Sequence, residues 1–109
     1  MHFNILPSQA LLLKTFSYAP ETGIITRIWG PTKRSDRYLN KAAGNIKADG
    51  YIYIGINKTL YLAHRIIWKM VYGCDPLDQI DHINRKRADN RIVNLRQATN
   101  TENQKNTLL

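Results

Sequence analysis

Cysteine is almost absent: Cys74 stands alone among 109 residues. That excludes an internal disulfide framework and a thiolate zinc site within one chain. No apolar run approaches the ~18 residues a membrane-spanning helix needs, so no membrane partner is expected. Met1 to Leu13 has neither a basic n-region nor a small-residue cleavage site, and no signal peptide is expected. A reducing cytoplasm is the compartment these absences suggest. Repeats and low-complexity tracts are also missing. Acidic residues are scarce, with eight Asp+Glu against sixteen Lys+Arg and a net charge of +8. A balance this basic points to nucleic acid.

The basic residues are clustered. Arg27, Lys33, Arg34, Arg37 and Lys41 form one group, and Arg85, Lys86, Arg87, Arg91 and Arg96 form another. Both lie in segments rich in turn residues, where side chains can reach phosphates. The apolar fraction of 43% allows one modest core, hence one domain with a small N-terminal part.

Ser8 is expected to cap a short helix through Phe16, with Pro20 and Gly23 turning the chain. Ile24 to Trp29 reads as a strand, and Gly30 to Asn40 as a long basic loop. Asp49-Gly50 is a two-residue turn signal. After it, Ile52, Ile54 and Ile56 alternate with Tyr51, Tyr53 and Gly55, the period of a strand. Asn57-Lys58 turns the chain into Thr59 to Leu62. Ala63 to Tyr72 then reads as a helix closed by Gly73. Beyond Asp75-Pro76 the expected order is strand (Gln79 to Ile83), basic loop, strand (Arg91 to Arg96) and helix. Thr99 to Glu102 forms a capping box for that last helix, and Asn103 lies in its first turns.

Chemistry concentrates in QIDHINRKRADNRIVNLRQATNTENQKN, residues 79 to 106. Asp81 and His82 are adjacent. Asn94 follows His82 by twelve residues (94 − 82), and Asn103 follows Asn94 by nine (103 − 94). Water attacking a phosphodiester must lose a proton, and an imidazole with a pKa near ~6.5 can take it. The Asp81 carboxylate and the Asn103 amide oxygen suit a hard divalent ion, Mg²⁺ or Mn²⁺, one per chain. Asn94 is assigned an orienting role, bracing the loop after His82. A backbone carbonyl of that loop could then fix the imidazole tautomer. Neighbouring strand residues face opposite ways, so Asp81 and His82 can serve one phosphate at a strand end or irregularity, or if the phosphate lies across the strand.

The segment resembles the HNH endonucleases and their ββα-metal fold, in particular the small phage-encoded and intron-associated branch with a final asparagine. The family's metal-binding acid falls on Asp81, its general base on His82, its hairpin asparagine on Asn94 and its second metal ligand on Asn103. YAPETGIITRIW, GYIYIGINKTLYLAHRIIW and DNRIVNLRQAT extend the likeness from about Phe16 to Asn106. The family's usual glycine after Asp81-His82-Ile83-Asn84 is replaced by Arg85, which raises the question of a different turn or an extra phosphate contact.

The expectation is therefore an α+β fold. Residues 1–47 form an N-terminal helix and strand region with a basic loop, a candidate DNA-binding extension. Residues 48–109 form the nuclease domain, with the central helix at 63–73 and the metal motif at 79–106. The implied function is metal-dependent nicking of double-stranded DNA by a monomer or weak homodimer, in a host cytoplasm if the gene is a phage's. Lys33, Arg34, Arg37, Arg65, Arg85, Lys86, Arg87, Arg91 and Arg96 are the candidate DNA contacts. His64 reads as a structural, hydrogen-bonded histidine, Asn90 as a turn residue and Asn106 as a helix-end polar group near the site. Most aromatic residues read as packing groups. Two rivals are a DNA-binding or packaging accessory protein with an inactive site, and a basic RNA-binding module.

Overall fold

The computed structural model describes residues 5–98. The capping box, Asn103 and Asn106 lie outside those residues. The elements run α1 (Gln9–Thr15), β1 (Phe16–Ala19), β2 (Ile24–Arg27), a 3₁₀ turn (Lys33–Tyr38), β3 (Asn45–Ile46), β4 (Ile52–Ile56), β5 (Thr59–Leu62), α2 (Ala63–Tyr72), β6 (Gln79–His82), a second 3₁₀ turn (Ile92–Asn94) and β7 (Leu95–Ala98). The strands form three small antiparallel sheets, β1-β2, β3-β4-β5 and β6-β7. Helices and separate antiparallel sheets make the fold α+β.

Local chemistry explains most boundaries. Ser8 caps α1, its Oγ accepting from the Leu11 N–H at 3.2 Å. Asn57 and Lys58 both take positive φ, 50° and 67°, as a two-residue hairpin turn between twisted strands requires. Helix α2 ends where expected. Gly73 has φ 81° and its N–H donates to the Lys69 carbonyl, a left-handed cap that costs glycine nothing.

Several expectations need correcting. Strand β1 has no counterpart among them; four residues separate α1 from the turn at Pro20 and Gly23, and they pair with β2. Strand β2 stops at Arg27, because the returning basic loop then takes over the pairing. The Arg27 N–H donates to the Lys41 carbonyl, and the Asn40 N–H to the Arg27 carbonyl. The basic loop itself contains the 3₁₀ turn. The Asp49-Gly50 hairpin has a three-residue loop rather than a two-residue one: the Lys47 N–H bonds the Tyr51 carbonyl across Ala48, Asp49 and Gly50, with Gly50 at φ 86°. Strand β6 ends at His82, one residue early. Residues 92–94 curl into a 3₁₀ turn, so the pairing strand is Leu95–Ala98 and not Arg91 to Arg96.

A single hydrophobic cluster joins the two halves of the chain. Leu6, Leu12, Phe16 and Ile25 pack with Ile54, Ile66, Ile67, Met70, Ile80 and Leu95. Removing a Leu or Ile from such a cluster costs about 2–5 kcal/mol, so elements far apart in sequence are tied to one another. No helix among the described residues is long and apolar enough to cross a membrane.

Candidate active site

Strand β6 carries the two residues of interest. Its pairing with β7 sets Asp81 opposite Arg96 and His82 opposite Leu95. Along β6 burial alternates: Ile80 and His82 point inward, Gln79 and Asp81 are half-buried. His82 is the last residue of the strand, the strand-end position at which both side chains can serve one phosphate.

His82 is 4% exposed, and its ring is surrounded on several sides. Its Nε2 lies 2.8 Å from the Asn90 Oδ1, and Asn90 is itself 2% exposed. The group that faces Nε2 is thus a side-chain amide and not the backbone carbonyl expected. The His64 ring meets His82 edge-on, with centroids 4.9 Å apart and planes at 90°. Tyr51 tilts over both, 5.5 Å from His64 and 5.9 Å from His82. Burial lowers the His82 pKa from its ordinary value. The Asn90 amide and the carboxylates of Asp81 and Asp89 oppose that shift, and Arg87 adds to it. His64, more deeply enclosed, is pushed down to about 3 by burial, then by His82 and Arg65. Both rings are therefore neutral near pH 7. Among the described residues, the contacts of the His64 side chain are with rings and not the hydrogen bonds expected of it.

A polar network closes the loop after His82. The Asn94 Oδ1 accepts from the Asn84 N–H at 2.9 Å, and its Nδ2 donates to the Asn84 Oδ1 and the Asp89 carbonyl, each at 2.9 Å. Asn84 Nδ2 donates to the Asp89 Oδ2 at 2.7 Å. Arg91 grips both Asp89 oxygens at 2.8 Å and holds that carboxyl well below the usual range. Asn94 is 5% exposed, so its amide is committed to the loop. Arg85 adopts φ 65°, the left-handed conformation glycine would take there, and its N–H donates to the His82 carbonyl at 2.8 Å. The turn is thus kept with arginine in it, against a cost of about 1–2 kcal/mol for a side chain in that region.

The basic candidates divide by placement. Lys33, Arg34, Arg37, Arg85, Lys86 and Arg87 are exposed. Arg87 also donates to the Asp49 carbonyl at 2.7 Å and lies 4.9 Å over the Tyr51 ring, joining the β3-β4 loop to the site. Arg65 is not presented to a phosphate: it is 7% exposed and its guanidinium donates to the carbonyls of Asp78 and Pro76. Arg91 is engaged with Asp89. Arg96 reaches across the hairpin to the Asp81 Oδ2, at 3.1 Å from Nε and 3.0 Å from Nη2.

The donor set fits a hard divalent cation in kind. Asp81 supplies a carboxylate whose side chain is 20% exposed, and its present partner, Arg96, is itself cationic. Among the described residues no three His, Cys, Asp or Glu side chains cluster into a complete metal site. The sequence marks Asn90 only as a turn residue or structural support near the site, reads Tyr51 as a packing group, and gives no sign of the pairing of Arg96 with Asp81. Only the hairpin register could have revealed the last of these.

Residues 61–105 match a family model described as HNH endonuclease. A comparison with curated proteins found no match. Among solved structures the chain is similar to one in "DNA binding and cleavage by the HNH homing endonuclease I-HmuI", with a TM-score of 0.61 and 23% identity. The match covers 85% of this chain and 51% of that one, so the chain spans about half the length of its structural relative. At that identity the likeness shows the fold.

Proposed function

We infer, from a chain whose residues 61–105 belong to the HNH endonuclease family, that this protein is a divalent-metal-dependent DNA endonuclease that cuts one strand at a time. The observation that carries the reading is His82: a buried imidazole at a strand end, one residue from a partly exposed carboxylate. The DNA binding and cleavage described for the structural relative agree with it.

The residues divide the work as follows. DNA approaches a surface carrying Arg85, Lys86 and Arg87, which hold phosphates without reading bases. His82 takes the proton from the attacking water, its depressed pKa keeping it unprotonated at neutral pH. Asn94 keeps the loop after His82 in one shape, so the ring does not drift from the water. Asp81 and Asn103 would hold the ion. When bound, it supplies positive charge against the charge that develops on the phosphate and the leaving oxygen. One such site per chain acts on one strand, and a double-strand break takes two events or two chains.

Supercoiled plasmid incubated with wild type or His82→Ala, with Mg²⁺, Mn²⁺ or EDTA, tests this. Nicked circles are expected with metal and wild type. His82→Ala should be slower by about 10²–10⁴-fold, the usual contribution of a general base. Salt-sensitive DNA binding with no cutting of varied DNA in either metal would point instead to a DNA-binding accessory protein.

A further inference from the structure

An imidazole can offer a basic nitrogen to water only if its other nitrogen carries the proton. Here Nε2 faces the Asn90 Oδ1 at 2.8 Å, inside the protein. An amide oxygen accepts and does not donate, so Nε2 carries the hydrogen and Nδ1 the lone pair.

Asn90 is in turn held by a part of the chain outside residues 61–105. The Tyr18 hydroxyl of β1 donates to the Asn90 carbonyl at 2.7 Å. The turn of the β1-β2 hairpin presses on the same spot. A Cβ on Gly23 would lie 2.5 Å from the Arg91 nitrogen and 2.6 Å from the Asn90 carbonyl carbon, so glycine alone permits this approach. On the other side Asp89 is clamped by Arg91 and Asn84. His64 and Tyr51 close further sides of the His82 ring.

We propose that Asn90 is the positioning residue of His82, fixing its Nε2–H tautomer and aiming Nδ1 at the attacking water, and that the β1-β2 hairpin holds Asn90 in place. The proposal rests on the reading of His82 as the general base. It gives the N-terminal hairpin a part in catalysis that requires no contact with DNA.

Long-range proton–nitrogen spectra of the full chain, labelled with ¹⁵N-histidine and free of metal, test it near pH 7.5. His82 is identified by its absence from His82→Ala. Wild type is expected to show the Nε2–H tautomer. Asn90→Asp keeps an acceptor in the same place and should keep that tautomer and the nicking rate within about tenfold. Asn90→Leu removes the acceptor. It should lose the single tautomer, and its rate at saturating DNA should fall by about 10²-fold or more, with KM little changed. Tyr18→Phe should lower the rate by about two- to fivefold, the equivalent of one neutral hydrogen bond. An Nδ1–H tautomer in wild type overturns the proposal, whether or not Asn90→Leu folds. So does an Asn90→Leu protein with unchanged tautomer and rate. Unchanged behaviour of Tyr18→Phe overturns the hairpin's part. If wild type cuts no DNA yet the tautomer depends on Asn90, the positioning stands and the nuclease reading falls.

Discussion

His64 and His82 are two imidazoles enclosed edge to face among the buried residues of the protein. Their folded-state pKa values lie below the ordinary value near 6.5, His64 at about 3. Below pH 6.5 the unfolded chain therefore binds more protons than the folded one, and stability falls as pH drops. For His64 the slope approaches about 1.4 kcal/mol per pH unit, or up to about 2.7 kcal/mol between pH 6.5 and 4.5. Carboxylates such as Asp89, held low by Arg91, lose their contribution only at lower pH, so this window belongs to the histidines. Urea midpoints from pH 7 to 4.5 check the expectation. His64→Phe, which keeps a ring and cannot titrate, should flatten the slope; an unchanged acid limb would show that His64 is not the group responsible. Sequence marks His82 through its carboxylate neighbour and its spacing. It holds no sign that His64, in another element, lies against it.

At the scale of elements, short-range chemistry makes some pieces readable and leaves others hidden. Helix α2 is legible to the residue, because its apolar positions recur at helical spacing and Gly73 closes it. Strand β7 is not. Ile92 and Val93 suggest a strand by composition, yet Asn94 spends its side chain on Asn84 and Asp89, and its backbone is drawn into a 3₁₀ turn. The shift that follows pairs Arg96 with Asp81. The β1-β2 hairpin is legible as a turn, but its docking is not. Gly23→Ala should test that docking. The substitution places a side chain at φ 78° and drives a Cβ into Asn90 and Arg91. The two penalties together come to about 2–4 kcal/mol, measurable as a lowered urea midpoint. A cost under about 1 kcal/mol would mean that the hairpin yields easily and does not brace the loop.

Across the whole molecule, charge and core pull in different directions. The core is continuous from Leu6 to Leu95, whereas the exposed basic residues include two separate groups, Lys33, Arg34 and Arg37 on one 3₁₀ turn and Arg85, Lys86 and Arg87 beside His82. If both groups bind DNA, replacing Lys33, Arg34 and Arg37 together with glutamine should reduce the log–log salt slope of binding by about 2–3, near ~0.9 for each phosphate no longer neutralised. An unchanged slope would confine the DNA to the His82 side. Composition and charge point to nucleic acid, the pattern of elements to an α+β fold, and the resemblance carried by Asp81, His82, Asn94 and Asn103 to the family. They do so because residue type and near-neighbour spacing carry that information directly. The partners of those residues were decided by tertiary structure alone. That Asn90 meets His82, that Tyr18 and Gly23 meet Asn90, and that Arg96 meets Asp81 all depend on packing and register between distant segments, which a single sequence does not record.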